Sequence, residues 1–208
     1  MQSKTYKIIE FFIIFLALPV SFALPYALAL KLILGGLGFI YVVFVLLRVE
    51  KNEFKVNPSL NWKSFWKNTL FKLSLIGTLT ILFVWFTNQE NLFIVMLNKP
   101  LFWIMILFVY SIFSVYPQEL LYRIFFFQRY KSLFSSEILF ILINATVFSL
   151  AHLFFKNILV LILTFVGGIL FALTFKKTKS TLLVSIEHAI YGCWLFTVGM
   201  GEMLGFPS

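Results

Sequence analysis

Glu119 and Arg123 stand four residues apart in Ser114-Val-Tyr-Pro-Gln-Glu-Leu-Leu-Tyr-Arg-Ile-Phe-Phe-Phe-Gln-Arg-Tyr130, a stretch that is otherwise mostly apolar. Both histidines of the chain, His152 and His188, also fall in apolar runs. Past residue 100 the polar residues at membrane depth are few: Gln118, Glu119, Arg123, Asn144, His152, Glu187 and His188. A charged or imidazole side chain there costs on the order of 2.5–3.5 kcal/mol on insertion scales, so each calls for a reason. A carboxylate, an arginine to hold it and two imidazoles in a dry site suit hydrolysis. A Glu with a His draws a proton from water, and a second His donates to the developing oxyanion. A His₂Glu zinc site is the other use of these groups; the sequence lacks His-Glu-x-x-His, and the metal-free route is favoured, with zinc kept as the alternative. The bland readings are an ion pair that only locks a helix and histidines that only pack.

Helices must position these groups. Proline suits the first turn of a helix, so one is predicted to begin near Pro117 and run to about Tyr130, with Glu119 and Arg123 on one face in the favourable acid-first order. Phe148 lies one turn before His152 and can wall its imidazole, and Gly192 lies one turn after His188, leaving room for close approach. Glu187 points about 100° away from His188 and so is not automatically in the same pocket. It is a candidate substitute base if its helix turns inward. Gly167-Gly168 permit a tight helix crossing.

Of 208 residues 61% are hydrophobic, 28 of them Phe, and only 12% are charged, which no soluble domain of this size can hide. Apolar runs at about 8–23, 27–48, 69–87, 101–116, 136–155, 157–175 and 181–199 approach the ~20 residues of a spanning helix. The predicted fold is all-α, a polytopic transmembrane bundle of about seven or eight helices in a single domain, 1–208. The net charge of +9 suits an anionic membrane face rather than nucleic acid, because the basic residues fall between the apolar runs. Lys4, Lys7, Arg48, Lys51, Lys55, Lys63, Lys67, Arg123, Arg129, Lys131, Lys176, Lys177 and Lys179 collect in alternate connections, on one side of the membrane, which predicts a cytoplasmic N-terminus, and the first span is expected to be uncleaved. Between Val49 and Asn68, Pro58, Trp62 and Trp66 with Lys63 and Lys67 read as a segment on the inner leaflet, with a solvated loop as the alternative. The first hundred residues are expected to add only spans. The lone Cys193 excludes an internal disulfide.

Gln118-Glu119-Leu-Leu-Tyr-Arg123, Phe148-Ser-Leu-Ala-His152 and His188-Ala-Ile-Tyr-Gly192, in that order, resemble the CPBP family of CAAX proteases and bacteriocin-processing (Abi) proteins, which are glutamic-type intramembrane endopeptidases. Their pattern is Glu-Glu-x-x-x-Arg, Phe-x-x-x-His and His-x-x-x-Asn, and the likeness covers about residues 100–200. The resemblance implies a helical bundle in a bacterial cytoplasmic membrane that cuts a membrane-bound or lipidated peptide without a cofactor. It implies that His152 helps activate water, that His188 stabilises charge, and that Glu119 supplies the carboxylate or pairs with Arg123. Two positions depart from the pattern. Gln118 replaces the first Glu, and an amide is no general base; Gly192 replaces the Asn and offers no side-chain donor. The alternative is a non-catalytic scaffold or immunity protein that binds a peptide. A transporter is disfavoured by the short chain and the lack of an inverted repeat.

Overall fold

The computed structural model describes residues 3–52 and 60–205, so Lys55 and Pro58 lie outside the described residues. Among the described residues, seven helices are long and apolar enough to span a membrane: α1 Lys4–Phe22, α2 Leu28–Arg48, α3 Trp62–Thr87, α4 Pro100–Leu133, α5 Glu137–Phe155, α6 Ile158–Thr178 and α7 Thr181–Val198. No strand occurs among the described residues. Backbone polar groups have no water to turn to in hydrocarbon, and the helix satisfies them internally. Large apolar side chains stand exposed along these helices, including Phe71, Phe86, Leu101, Phe113 and Ile138. Lipid, not water, is the solvent such a surface requires. The chain is an integral membrane protein.

Polar side chains close the helix ends. Asn61 accepts from Ser64 N at 2.9 Å, Ser136 from Leu139 N at 3.3 Å, and Ser180 from Leu183 N at 3.2 Å, each satisfying an otherwise orphaned donor. The Trp62/Trp66 and Lys63/Lys67 stretch is not a separate surface segment. It forms the first two turns of α3, with both tryptophans partly exposed and edge-on to the buried Phe65. A 26-residue helix is about 39 Å long, enough to cross the hydrocarbon and still present those turns at its edge.

Pro117 does not begin a helix. The runs at 101–116 and 117–130 are one 34-residue element, α4. A proline inside an α-helix removes one hydrogen bond and presses on the carbonyl four residues back. For Pro117 that carbonyl belongs to Phe113, in a π-wound turn, Tyr110–Val115. The same device recurs in α1, where Pro19 follows the π-wound turn Ile13–Ala17. The wider winding lets each helix pass its proline without breaking.

The chain forms two compact units. The first comprises Met1–Lys55 and Leu120–Leu173, and the second Val56–Glu119 and Thr174–Ser208. In the first, Phe15, Phe125, Phe126 and Tyr130 are fully buried, with Phe15 edge-on to Phe126 at 5.3 Å and to Tyr130 at 5.8 Å. Such pairs add about 0.5–1.5 kcal/mol each beyond the area they bury. Beside them Glu10 and Arg129 form a buried ion pair, joined by Glu50, Tyr41 and Tyr130. In the second, α7 is fastened by Trp194 Nε1 donating to Thr80 Oγ1 at 2.8 Å and Trp103 Nε1 donating to Thr197 Oγ1 at 3.0 Å. Gly199 ends α7 at φ +104°, and a Cβ there would lie 2.0 Å from the Asn91 carbonyl oxygen.

Of the two adjacent glycines in α6, Gly168 makes the crossing: a Cβ at that position would lie 2.9 Å from Ala145 Cα on α5. A Cβ on Gly167 would instead meet Phe171 of its own helix at 3.2 Å. Gly168→Val is expected to destabilise the protein by about 1–3 kcal/mol or more, because backbone rather than a movable side chain blocks the new methyl groups. Gly167→Ala should cost less. Unfolding in detergent, monitored by intrinsic fluorescence, ranks the two variants.

Candidate active site

Glu119 lies on α4, fully buried, at the end of the short α-wound segment Tyr116–Glu119 between two π-wound turns. His188 lies midway along α7, also buried. Both belong to the second unit. Glu119 Oε1 is 2.7 Å from His188 Nδ1, the distance of a charge-assisted hydrogen bond. With Glu119 as a carboxylate, the Nδ1 position carries the proton and Nε2 is left as an acceptor. Nε2 faces the hydroxyl of Tyr110, the first residue of the π-wound turn, at 3.2 Å. Carboxylate, imidazole and hydroxyl thus stand in a row, the order in which a carboxylate fixes the tautomer of a histidine base. π-wound turns recur at functional sites in other helices, and here one flanks each side of the glutamate.

Glu187, adjacent in sequence to His188, faces elsewhere, as its phase on the helix predicts. It is fully buried, and its Oε1 accepts from Lys72 Nζ at 2.6 Å and from the Tyr191 hydroxyl at 2.9 Å. Lys72 comes from α3, so the first hundred residues supply more than spans. Glu187 serves as the counter-ion of a lysine that has entered the membrane, and the bond ties α7 to α3. An isolated ammonium or carboxylate at this depth would be far more costly than the pair. Gln118 directs Nε2 to Ser114 Oγ at 2.8 Å, one turn back on α4. Gly192 sits one turn beyond His188, and the Tyr110 side chain fills the space beside it.

The remaining motif residues belong to the first unit. Arg123, fully buried, donates from Nη1 to Asn144 Oδ1, and its guanidinium lies 5.1 Å from the centre of the Phe148 ring and 5.8 Å from that of Phe171. Asn144 in turn donates to the Tyr122 carbonyl at 2.8 Å. An amide and two aromatic faces lie against this buried cation. The residues from Leu120 to Phe125 are π-wound, with backbone hydrogen bonds running to the fifth residue rather than the fourth. Phe148 walls His152, with ring centres 5.0 Å apart, and His152 Nδ1 donates to the Phe148 carbonyl at 2.8 Å. That bond fixes the tautomer and leaves Nε2 of His152 as an acceptor.

Glu119, His188, Glu187, Gln118 and Gly192 therefore belong to one unit, and Arg123, Phe148 and His152 to the other. Tyr110 and Lys72 were not among the site residues picked out from the sequence. Lys72 had a signal, a charge inside the 69–87 run, whereas Tyr110 looks like any aromatic residue in an apolar helix. Among the described residues, no group of three or more His, Cys, Asp or Glu side chains is placed to hold a metal ion.

A family model described as Rce1-like, type II CAAX prenyl endopeptidase Rce1-like, matches residues 100–194. That segment contains all three motifs. No curated protein and no solved structure matches the chain.

Proposed function

We propose, from the match of residues 100–194 to the Rce1-like, type II CAAX prenyl endopeptidase family model, that this integral membrane protein hydrolyses a peptide bond of a membrane-bound or lipidated substrate. The observation that carries this reading is the 2.7 Å bond between Glu119 and His188 inside the matched segment. Of the two buried glutamates near motif three, Glu187 is committed to Lys72, and Glu119 faces the imidazole. Glu119 holds the Nδ1 proton, and a water that takes the place of the Tyr110 hydroxyl at His188 Nε2 gives its proton to that atom. The hydroxide oxygen bonds to the carbonyl carbon, the C–N bond breaks, and the proton on Nε2 passes to the leaving amine. The Glu119–His188 pair ends in its starting state, and one water has been consumed. His152 carries the second motif, and the family resemblance gives it a part in activating water. The N-terminus lies inside, as the Lys and Arg placement favours; a bacterial cytoplasmic membrane is the location the family resemblance implies.

Gln118 supports a second reading. An amide stands where the family pattern has its first glutamate, which suits a member that binds a peptide without cutting it.

Purified protein in proteoliposomes, given a prenylated CAAX peptide and its unprenylated counterpart, separates the two. Cleavage of one bond of the prenylated peptide is expected by mass spectrometry, and none from folded His188→Ala or His152→Ala. Saturable binding with no product would establish the second reading. Turnover at the wild-type rate in both histidine variants would end the first.

A further inference from the structure

Resting on the endopeptidase reading above, we propose that Tyr110 is a catalytic residue of this protein, its hydroxyl donating a hydrogen bond to the oxyanion of the tetrahedral intermediate. The position takes shape from two residues on α7. Gly192 has no side chain, and a Cβ there would lie 2.1 Å from the Tyr110 hydroxyl oxygen and 2.4 Å from Cε1 and Cζ of its ring. The tyrosine therefore occupies the volume that any side chain at 192 would need. Its ring is held edge-on by Phe196, with centres 4.9 Å apart, and by His188 at 6.1 Å, so it has no easy retreat. What glycine removes at this point in the site, a polar group beside the imidazole, tyrosine restores from the facing helix.

The hydrogen-bond order gives the hydroxyl its timing. Glu119 claims the Nδ1 proton, so neutral His188 accepts at Nε2 from Tyr110. Nε2 has one lone pair, so the attacking water displaces the Tyr110 O–H before giving Nε2 its proton, and the released O–H turns to the carbonyl oxygen as that oxygen becomes negative. No proton leaves Tyr110 at any stage. When the C–N bond breaks, Nε2 delivers its proton to the amine nitrogen, the carbonyl re-forms, and the hydroxyl returns to Nε2. A donor whose bond strengthens only as charge develops lowers the barrier without tightening substrate binding.

Tyr110→Phe keeps the ring and removes only the hydroxyl, so the fold and the Phe196 and His188 ring contacts persist. Its kcat on the prenylated peptide is expected to fall about 10²–10³-fold, the loss typical of one oxyanion donor, with KM unchanged. A phosphinate analogue of the same peptide, mimicking the tetrahedral centre, should bind more weakly by the same factor, and the uncleaved peptide should bind as before. Wild-type kcat in Tyr110→Phe, alongside an inactive His188→Ala, would overturn the role of Tyr110 and leave the endopeptidase reading standing. Equal weakening of peptide and phosphinate would also overturn it, because the hydroxyl would then be a ground-state contact. A wild-type protein that cuts no peptide removes the endopeptidase reading itself, and this role with it.

Discussion

Glu119→Gln is expected to lower kcat on a prenylated peptide by about 10²–10⁴-fold without unfolding the protein. The substitution is nearly isosteric and removes one charge from a fully buried position, so its steric cost is small. Its chemical cost has two sources. The amide oxygen is a weaker partner for an imidazolium, so proton transfer to Nε2 loses driving force. The amide nitrogen can also turn to Nδ1 as a donor, which moves the imidazole proton to Nε2 and leaves that atom unable to accept from water. His188→Ala removes the other half of the same unit. Glu119→Gln combined with His188→Ala should therefore be no slower than the worse single variant, since groups that act together do not lose rate additively. Glu187→Gln serves as the contrast. It weakens the Lys72 bond and should lower stability, but it leaves the Glu119–His188 pair in place and should lower kcat far less. Initial rates over a range of peptide concentrations, measured on protein whose circular dichroism matches wild type, decide the matter. A Glu119→Gln rate within a few-fold of wild type would move the general base elsewhere.

The sequence showed the helical membrane bundle through run length alone, because hydrocarbon admits so few backbone solutions. It also singled out Glu119 and His188, since a charge among leucines and phenylalanines has to be explained by something. What it concealed was partnership. Lys72 and Glu187 lie 115 residues apart, and nothing local to either tells which opposite charge will arrive. Glu10 and Arg129, 119 apart, are the same case. Tyr110 was hidden for a different reason: its hydroxyl matters only because Gly192 clears the space opposite, a relation between two helices rather than a property of either. Pro117 misled through a sound local rule, overridden by a π-wound turn that hydrophobic periodicity does not register. Gln118 and Gly192 stood out as departures from the family pattern, and for Gly192 the compensating group comes from another helix.

Arg129→Ala is expected to destabilise the protein by about 3–5 kcal/mol, the cost of leaving a buried countercharge unpaired. Arg129 is fully buried, donating from Nε to Glu10 Oε2 at 2.7 Å, from Nη2 to Glu10 Oε1 at 3.1 Å, and from Nη1 to Glu50 Oε1 at 2.8 Å. Tyr41 and Tyr130 donate to the same Glu10 carboxylate, and Tyr6 meets Tyr41 at 2.8 Å. Lys7 donates to the Arg129 carbonyl at 3.0 Å, so α1, α2 and the end of α4 converge on the Glu10–Arg129 pair within the first unit. Removing it strands Glu10 among aromatic rings, and two tyrosine hydroxyls cannot replace a full charge. Arg129→Lys should recover only part of the loss, because an ammonium cannot span two carboxylates with the fork that Nε, Nη1 and Nη2 provide. Arg129→Met with Glu10→Gln should be more stable than Arg129→Ala, since the pair is then removed together and the volume is kept. Equilibrium unfolding in mixed micelles, read by tryptophan fluorescence, gives the order wild type, Arg129→Lys, Arg129→Ala from most to least stable. An Arg129→Ala protein within about 0.5 kcal/mol of wild type would show that water or lipid headgroups reach Glu10 and that the network is ornamental to stability.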